Sequence, residues 1–370
     1  MPTVAILTSL FFPYGKKDVP IVYSGADRYL MELCRLFKSK GWSVLILQAG
    51  NEYWETEYEG CTVRGIPGTE FDFETNPVLN RVFNETALSA DLRIYFAPFV
   101  CFPQVISPCI SVCHGIWWDY PGHSFFNAPE NFKKEYFRRV EFGLTSCDAT
   151  ICVDTAVMEF VRATWPGKDK GMRYIPNFVD TNQFFPRQEP KDWKKPRVLY
   201  PRRLTTLRGS NEFLWAVKEL PEVDFWMVGH GDEETDEKLL TQICTTHSNL
   251  TWLKKSFDEM PDVYRQVDLA VIPTRAAEGT SLAAIEAMAT GLPLITTTVG
   301  GLPNLLIDGY NGVFVDLHSE RLHNVIRALL SRPEYMTSLG KRGREMAEVA
   351  FDIQIWQAKW WRVVNKVINK

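Results

Sequence analysis

The 370-residue sequence has no Cys-x-x-Cys pair, no run of about 18 apolar residues and no block of lysine and arginine. The first absence argues against a zinc ribbon or dithiol redox motif, and the second against a membrane-spanning helix. With a formal net charge of -4, the third argues against nucleic acid as a partner. The eight cysteines sit in apolar runs such as PCISVCHG and CDATICVD, where reduced core thiols are expected. No Gly-x-Gly-x-x-Gly turn follows the first strand of either half, which argues against a nicotinamide-dependent dehydrogenase. There is no Asp-x-Asp pair at a strand end, and His123, His230, His247, His318 and His323 form no ligand cluster. Chemistry without a required metal, and without a cofactor, is the expectation. The opening VAILTSL is too short for a signal peptide and reads as a buried strand. A cytoplasmic location is therefore expected, with peripheral attachment to a membrane left open.

What the sequence does contain is ample apolar material, 45% hydrophobic residues against 23% charged, at a length that favours two domains. Short apolar runs alternate with amphipathic stretches in both halves, as parallel sheets covered by helices on both faces require. In the first half, strands are expected at VAILTSL, WSVLILQA, LRIYFA, CISVC and ATICVD. Helices are expected at ADRYLMELCRLFKSK, NFKKEYFRRVEFGLTS and TAVMEFVRAT, the first opened by Ser24 and Gly25 and closed by Gly41. The second half yields five strands, RVLYP, DFWMVG, LTWL, LAVIPT and PLITTT, separated by four helices. The expected organisation is an N-terminal domain over 1–180, a proline-rich exposed linker over 181–196 and a C-terminal domain over 197–350. The closing stretch 351–370 places Ile353, Trp356, Trp360, Val363, Val364 and Val367 on one helical stripe that must be buried.

Chemistry concentrates in IPTRAAEGTSLAAIEAMATGLP. A strand ends at Pro273, a loop carries Glu278 and Gly279, and Thr280 and Ser281 lead into a helix. Ligands of doubly wound sheets collect beyond the carboxyl ends of strands, and a helix start offers N–H groups to a phosphate. Gly279, Thr280 and Ser281 form such a seat. Glu286 lies two turns on, where side chains lean back toward the helix start, and its carboxylate suits a ribose. An isolated carboxylate is usually a solvated helix residue, but the small apolar flanks of Glu286 argue against full exposure there. Upstream, YPRRLTTLRG places Arg202, Arg203 and Arg208 at the same strand-end side, suited to a diphosphate whose charge grows as its bond to a sugar breaks. Their bland alternative is pairing with Glu212 on the surface. In the first half, His114 directly follows the CISVC strand. WWDYPGHSFF adds Trp117, Trp118 and Tyr120 as an acceptor platform, with buried packing an equal alternative. FFPYGKKDVPIVYSG is a long loop in which Lys16, Lys17 and Gly25 stand where an acceptor or a donor phosphate would be met.

These residues resemble the retaining nucleotide-sugar glycosyltransferases of GT-B fold, the group that includes sucrose synthases and bacterial mannosyl and glucosyl transferases. The family's paired glutamates, separated by seven intervening residues, match Glu278 and Glu286, the second opening EAMATGLP. Its Gly-Arg-Leu and Lys-Gly motifs match Arg202-Arg203-Leu204 and Arg208-Gly209. SGADRYLMELCRLFKSKGWSV and IPNFVDTNQFFP follow family order. The resemblance implies two facing Rossmann-like doubly wound domains with a deep interdomain cleft, the final helix crossing back to the first domain. It implies a nucleotide-diphosphate sugar donor held by Arg203 and Arg208 on the diphosphate, Glu286 on the ribose and Glu278 on hydroxyls of the transferred sugar. Gly25, Gly279, Thr280 and Ser281 lie on the donor side, and His114 near the sugar. The acceptor, whether carbohydrate, lipid or small molecule, stays open. Arg202 replaces the family's glycine, Arg208 its lysine, Thr280-Ser281 its aromatic-Gly pair and Ser24 its first loop glycine. A sugar-nucleotide epimerase and a non-enzymatic nucleotide-sugar-binding partner are the alternative readings.

Overall fold

A computed structural model describes residues 1–8, 11–12, 25–67, 73, 75–115, 128–188, 195–229, 234–276, 278–317 and 321–369. Lys16, Lys17, Ser24, Trp117, Trp118, Tyr120, His123, His230 and His318 lie outside the described residues. The chain divides into two compact units. One comprises Met1–His114, His123–Ile175 and Gln357–Lys370, and the other Gly115–Gly122 and Pro176–Trp356.

The first unit holds an eight-stranded sheet of β1 (Thr3–Leu7), β2 (Ser43–Ala49), β3 (Trp54–Tyr58), β4 (Cys61–Ile66), β5 (Leu92–Tyr95), β6 (Cys109–Cys113), β7 (Ala149–Cys152) and β8 (Met172–Tyr174). Their order is β3-β4-β2-β1-β5-β6-β7-β8, and β3 alone among them pairs antiparallel. The central strands are continuous apolar runs because helices cover the sheet. Those helices are α1 (Gly25–Ser39), α2 (Asn76–Thr86), α3 (Glu130–Thr145) and α4 (Thr155–Thr164). Gly41 closes α1 in a left-handed conformation, φ 77°. Its N–H bonds the Lys38 carbonyl and that of Trp42 the Phe37 carbonyl, the paired bonds of a Schellman turn. Asp154 caps α4 by accepting from the Val157 N–H at 2.9 Å.

In the second unit the strands are β9 (Arg197–Tyr200), β10 (Asp224–Val228), β11 (Leu250–Leu253), β12 (Leu269–Ile272), β13 (Leu294–Thr296) and β14 (Val313–Phe314). They form an all-parallel sheet in the order β11-β10-β9-β12-β13-β14, so β14 makes six strands where five are expected. The helices are α5 (Ser210–Glu219), α6 (Glu234–Thr246), α7 (Met260–Arg265), α8 (Leu282–Ala289), α9 (Leu322–Leu330) and α10 (Pro333–Met346). Side chains alternate strictly between two cores. Val198, Tyr200, Leu269, Val271 and Ile295 join α5, α9 and α10, whereas Leu199, Ala270, Ile272 and Leu294 join α7 and α8. This period of two, with helices on each face, is what makes the unit doubly wound.

Of the exposed linker expected over 181–196, Asn182, Phe185, Pro186 and Gln188 are exposed, while Phe184 and Arg187 are tied down. Phe184 is buried against Phe257 and Tyr264, and Arg187 pairs with the buried Asp268. One large aromatic and one ion pair outweigh the local proline and charge content, and this segment packs into the second unit. Residues 189–194 lie outside the described ones.

The chain closes with α11 (Ile353–Ile368). Trp356, Trp360, Val364 and Val367 of the expected stripe are buried, with Ile353 and Val363 half-buried. Trp360 packs edge-on to Tyr29 of α1 and donates its indole N–H to the Tyr29 hydroxyl at 2.7 Å. Replacing Trp360 with alanine should cost the first unit about 3–5 kcal/mol, read as a lower urea midpoint. Trp360→Phe, which keeps most of the ring but leaves the Tyr29 hydroxyl without its donor, should cost about 1–3 kcal/mol. An unchanged midpoint in the alanine variant would refute this anchoring role.

Candidate functional site

The second sheet reverses at β9. The chain runs outward through β10 and β11, then returns to place β12 on the other side of β9. Loops leaving the carboxyl ends of β9 and β12 diverge at such a switch point, and ligands of open α/β sheets bind in the crevice between them. The β9 loop carries Arg202, Arg203 and Arg208, and the β12 loop carries Glu278. The Tyr200 hydroxyl, at the end of β9, lies 3.1 Å from the carbonyl oxygens of both Arg203 and Arg208 and draws the arginine loop closed.

Glycines allow the loops after β9 and β13 to close on the β12 loop. Gly209 adopts φ 76°, and a Cβ there would overlap the Pro273 carbonyl oxygen. Gly300 adopts φ 54°, and a Cβ there would overlap the Glu278 carbonyl oxygen, which accepts from the Gly301 N–H at 2.9 Å. Only glycine meets both demands, left-handed backbone and close approach.

Glu278, 8% exposed, is the centre of the site. Arg202 forks onto it, Nη1 lying 3.3 Å from Oε1 and Nη2 bonding Oε2. Arg208 Nη1 reaches Oε2 at 2.5 Å, and the Thr274 hydroxyl lies 3.3 Å from the same oxygen. Burial raises the Glu278 carboxyl, but Arg202 and Arg208 together outweigh burial and hold it below the ordinary glutamate range. Burial works against the Arg202 charge and Glu278 more than restores it. For Arg208 burial wins, with Arg202 and Arg203 adding to it, so that guanidinium sits below its usual value. Glu212, the alternative partner for these arginines, instead pairs with Arg275. Arg203 is exposed beside the cluster.

The start of α8 completes the site. The Ser281 side chain makes no capping bond to the helix, and its Oγ accepts from Arg202 at 2.8 Å. Thr280 is fully buried. Its hydroxyl oxygen accepts from the Asn177 N–H at 2.8 Å, and its carbonyl accepts from the Asn177 side-chain amide. Glu286, 3% exposed, lies 3.1 Å from the Tyr264 hydroxyl of α7, so its burial is supported as its apolar flanks require. Asn177 and Tyr264 escaped the sequence reading, because a tie across 103 or 22 residues leaves no local pattern.

In the first unit, His114 follows β6 at the carboxyl edge of its sheet. Its ring packs against Phe96 and Tyr29, with centroids 4.6 and 5.1 Å away. Burial pushes its pKa down to about 4, against the opposing pull of the Phe96 backbone. The ring is neutral at physiological pH, and its Nε2 is buried without a hydrogen-bond partner. Gly25 is exposed at the start of α1. Among the described residues no group of three or more His, Cys, Asp or Glu side chains is arranged to hold a metal ion, and no helix is long and apolar enough to cross a membrane.

The fold defines a class, α/β proteins built of two Rossmann-like units. Two adjoining family models match the chain, glycosyltransferase family 4 over residues 23–183 and glycosyl transferases group 1 over residues 181–346. An uncharacterised glycosyltransferase of Methanocaldococcus jannaschii is 22% identical over 361 residues, which cover 93% of each chain. Sucrose-phosphate synthase from Thermosynechococcus elongatus shares the fold at a TM-score of 0.81 and 20% identity, over 100% of both chains. The Anabaena protein HepE, solved with UDP-glucose, shares it at 0.73 and 17%, again over 100% of both. The chain belongs to the glycosyltransferases of GT-B fold.

The ion cluster carries a pH signature. Because the folded-state pKa of Glu278 lies below its unfolded value, its contribution to stability is present above the ordinary carboxylate range and lost as pH falls through the depressed value. Glu278→Gln leaves two part-buried guanidinium groups without their anion and should cost about 3–5 kcal/mol near neutral pH. The penalty should shrink in acid, measured as thermal stability of both proteins across a pH series. A penalty that is constant with pH would contradict the charge assignment.

Proposed function

We propose that this chain is a retaining glycosyltransferase that moves a sugar from a nucleotide diphosphate to an acceptor hydroxyl without a required metal ion. The observation that carries this reading is the convergence of Arg202, Arg208, Glu278 and the start of α8 at the switch point of the second sheet. The UDP-glucose complex of HepE and the paired glutamates of the family resemblance support a nucleotide-sugar donor.

In this reading Arg203 and Arg208 neutralise the diphosphate, assisted by backbone and hydroxyl donors of Gly279, Thr280 and Ser281. Glu286 accepts the ribose hydroxyls, and Glu278 accepts hydroxyls of the transferred sugar. His114, neutral, contacts that sugar, and Gly25 lies on the donor side. Trp117, Trp118 and Tyr120 are assigned to the acceptor, which is a carbohydrate, a lipid or a small molecule. The bond from C1 to the β-phosphate oxygen breaks, the acceptor oxygen bonds to C1 on the same face, and the acceptor proton passes to the departing phosphate. Charge growing on that phosphate is stabilised by groups already aimed at it. We place this chemistry in the cytoplasm, with peripheral membrane contact where the acceptor is a lipid.

Calorimetry with UDP-glucose, GDP-mannose, ADP-glucose and TDP-glucose tests the donor site. One donor should bind, and Glu286→Ala and Arg203→Ala should each weaken it by roughly tenfold or more, the worth of one hydrogen bond to a charged group. Binding indifferent to both changes would sink the site assignment, and binding of none would sink the donor class. With an acceptor in hand, an inverted anomeric centre in the product by NMR would refute retention, and loss of transfer in EDTA would refute metal independence.

A further inference from the structure

Glu278 has two cationic partners, and they are not equivalent. Arg202 meets both carboxylate oxygens and is tied by a third bond to Ser281. Its side chain is 10% exposed, against 24% for Arg208, which reaches one oxygen only. A two-point fork onto the carboxylate with an extra anchor resists displacement from Glu278 more than a one-oxygen contact from a more exposed side chain does. Arg202 and Glu278 cancel charge for charge, and Arg208 is a second cation on the same carboxylate.

We propose that Arg202 is the positioning residue for Glu278, staying forked to its carboxylate and fixing its direction toward the transferred sugar while Arg208 transfers from Glu278 to the diphosphate of the arriving donor. This rests on the reading of Glu278 as the carboxylate that receives sugar hydroxyls. The position that holds glycine in the resembling family thus becomes a determinant of sugar recognition, acting through Glu278 and not on the phosphates. The groups facing Glu278 are Arg202 and Arg208 from the β9 loop, Thr274 from its own loop, and Tyr200 at the end of β9. Arg202 is foremost among those that keep it ionised.

The test compares a nucleotide sugar with the nucleoside diphosphate it contains, which lacks the sugar and so does not engage Glu278. The pair is the donor from the four above that the wild-type protein binds most tightly, with its own diphosphate. Arg202→Met should weaken the nucleotide sugar by roughly tenfold or more while leaving the diphosphate nearly unchanged. The acid limb of nucleotide-sugar binding should also move to higher pH, because Glu278 then protonates more readily. Arg202→Lys should restore the acid limb, since charge is regained, but only part of the affinity, since the fork is not. If Arg202→Met does not fold by circular dichroism, the lysine variant decides on the same ratio. Equal weakening of both ligands, or an acid limb that stays in place, would overturn the proposal and leave the donor reading standing. Failure of all four donors to bind the wild-type protein would overturn that reading, and this inference with it.

Discussion

A carboxylate sealed from water between two guanidinium groups is the constraint around which the second unit is arranged. Burial alone would drive Glu278 toward its neutral form. Arg202 and Arg208 reverse that tendency, and they can do so only because the β9 and β12 loops come within hydrogen-bond reach. Reach in turn demands Gly209, where any side chain would strike the Pro273 carbonyl, while Gly300 lets the loop after β13 close on the Glu278 backbone from the other side. Both loops leave the same edge because β9 and β12 are parallel neighbours. Topology, glycine placement and charge thus form one dependency: loss of any of them leaves an unpaired buried ion.

The helix beneath this cluster is held at both ends. Asn177 binds Thr280 just before α8 through two hydrogen bonds. At the far end, Arg344 donates to the Ala289 carbonyl at 2.7 Å and to the carbonyls of Thr181 and Phe184. A guanidinium at a helix C-terminus meets the negative end of its dipole, which leaves the positive end facing the cluster. With Tyr264 fixing Glu286 between them, α8 has little freedom to shift against the sheet. Fixed N–H groups stabilise a growing negative charge better than mobile ones, because no reorganisation is needed when the charge appears.

The sequence was most readable where physics is local. Central parallel strands are short unbroken apolar runs, and they stand where RVLYP, LAVIPT and CISVC predict. Trp54–Tyr58 was missed because an edge strand with three polar residues in five lacks that signal, and Val313–Phe314 because two residues carry no period. Helix α2, with its three buried asparagines, hides a packed face behind polar letters. Two of them, Asn80 and Asn84, donate to carbonyls of the turn that follows β5, Asn80 to Val100 and Cys101 and Asn84 to Gln104, a debt of buried backbone that no periodicity displays. In the site, Arg202, Arg208 and Glu278 were legible as polar residues of one strand-end rim, and they meet there, whereas Glu286 bonds Tyr264. What could not be read was the pairing itself. Arg202 stood in the sequence as one of three phosphate-facing cations, and its fork to Glu278 depends on loop closure across 76 residues.

The two units meet the same electrostatic problem with opposite solutions. His114 and Glu278 both follow a central parallel strand, and burial opposes the charge of each. Around His114 the neighbours are the rings of Phe96 and Tyr29, with only a backbone group to favour the cation, so the imidazole gives up its proton. Around Glu278 two arginines preserve the ion. A neutral imidazole exchanges hydrogen bonds with an uncharged hydroxyl but brings no positive charge to a phosphate. In the proposed reaction that work falls to arginines of the second unit.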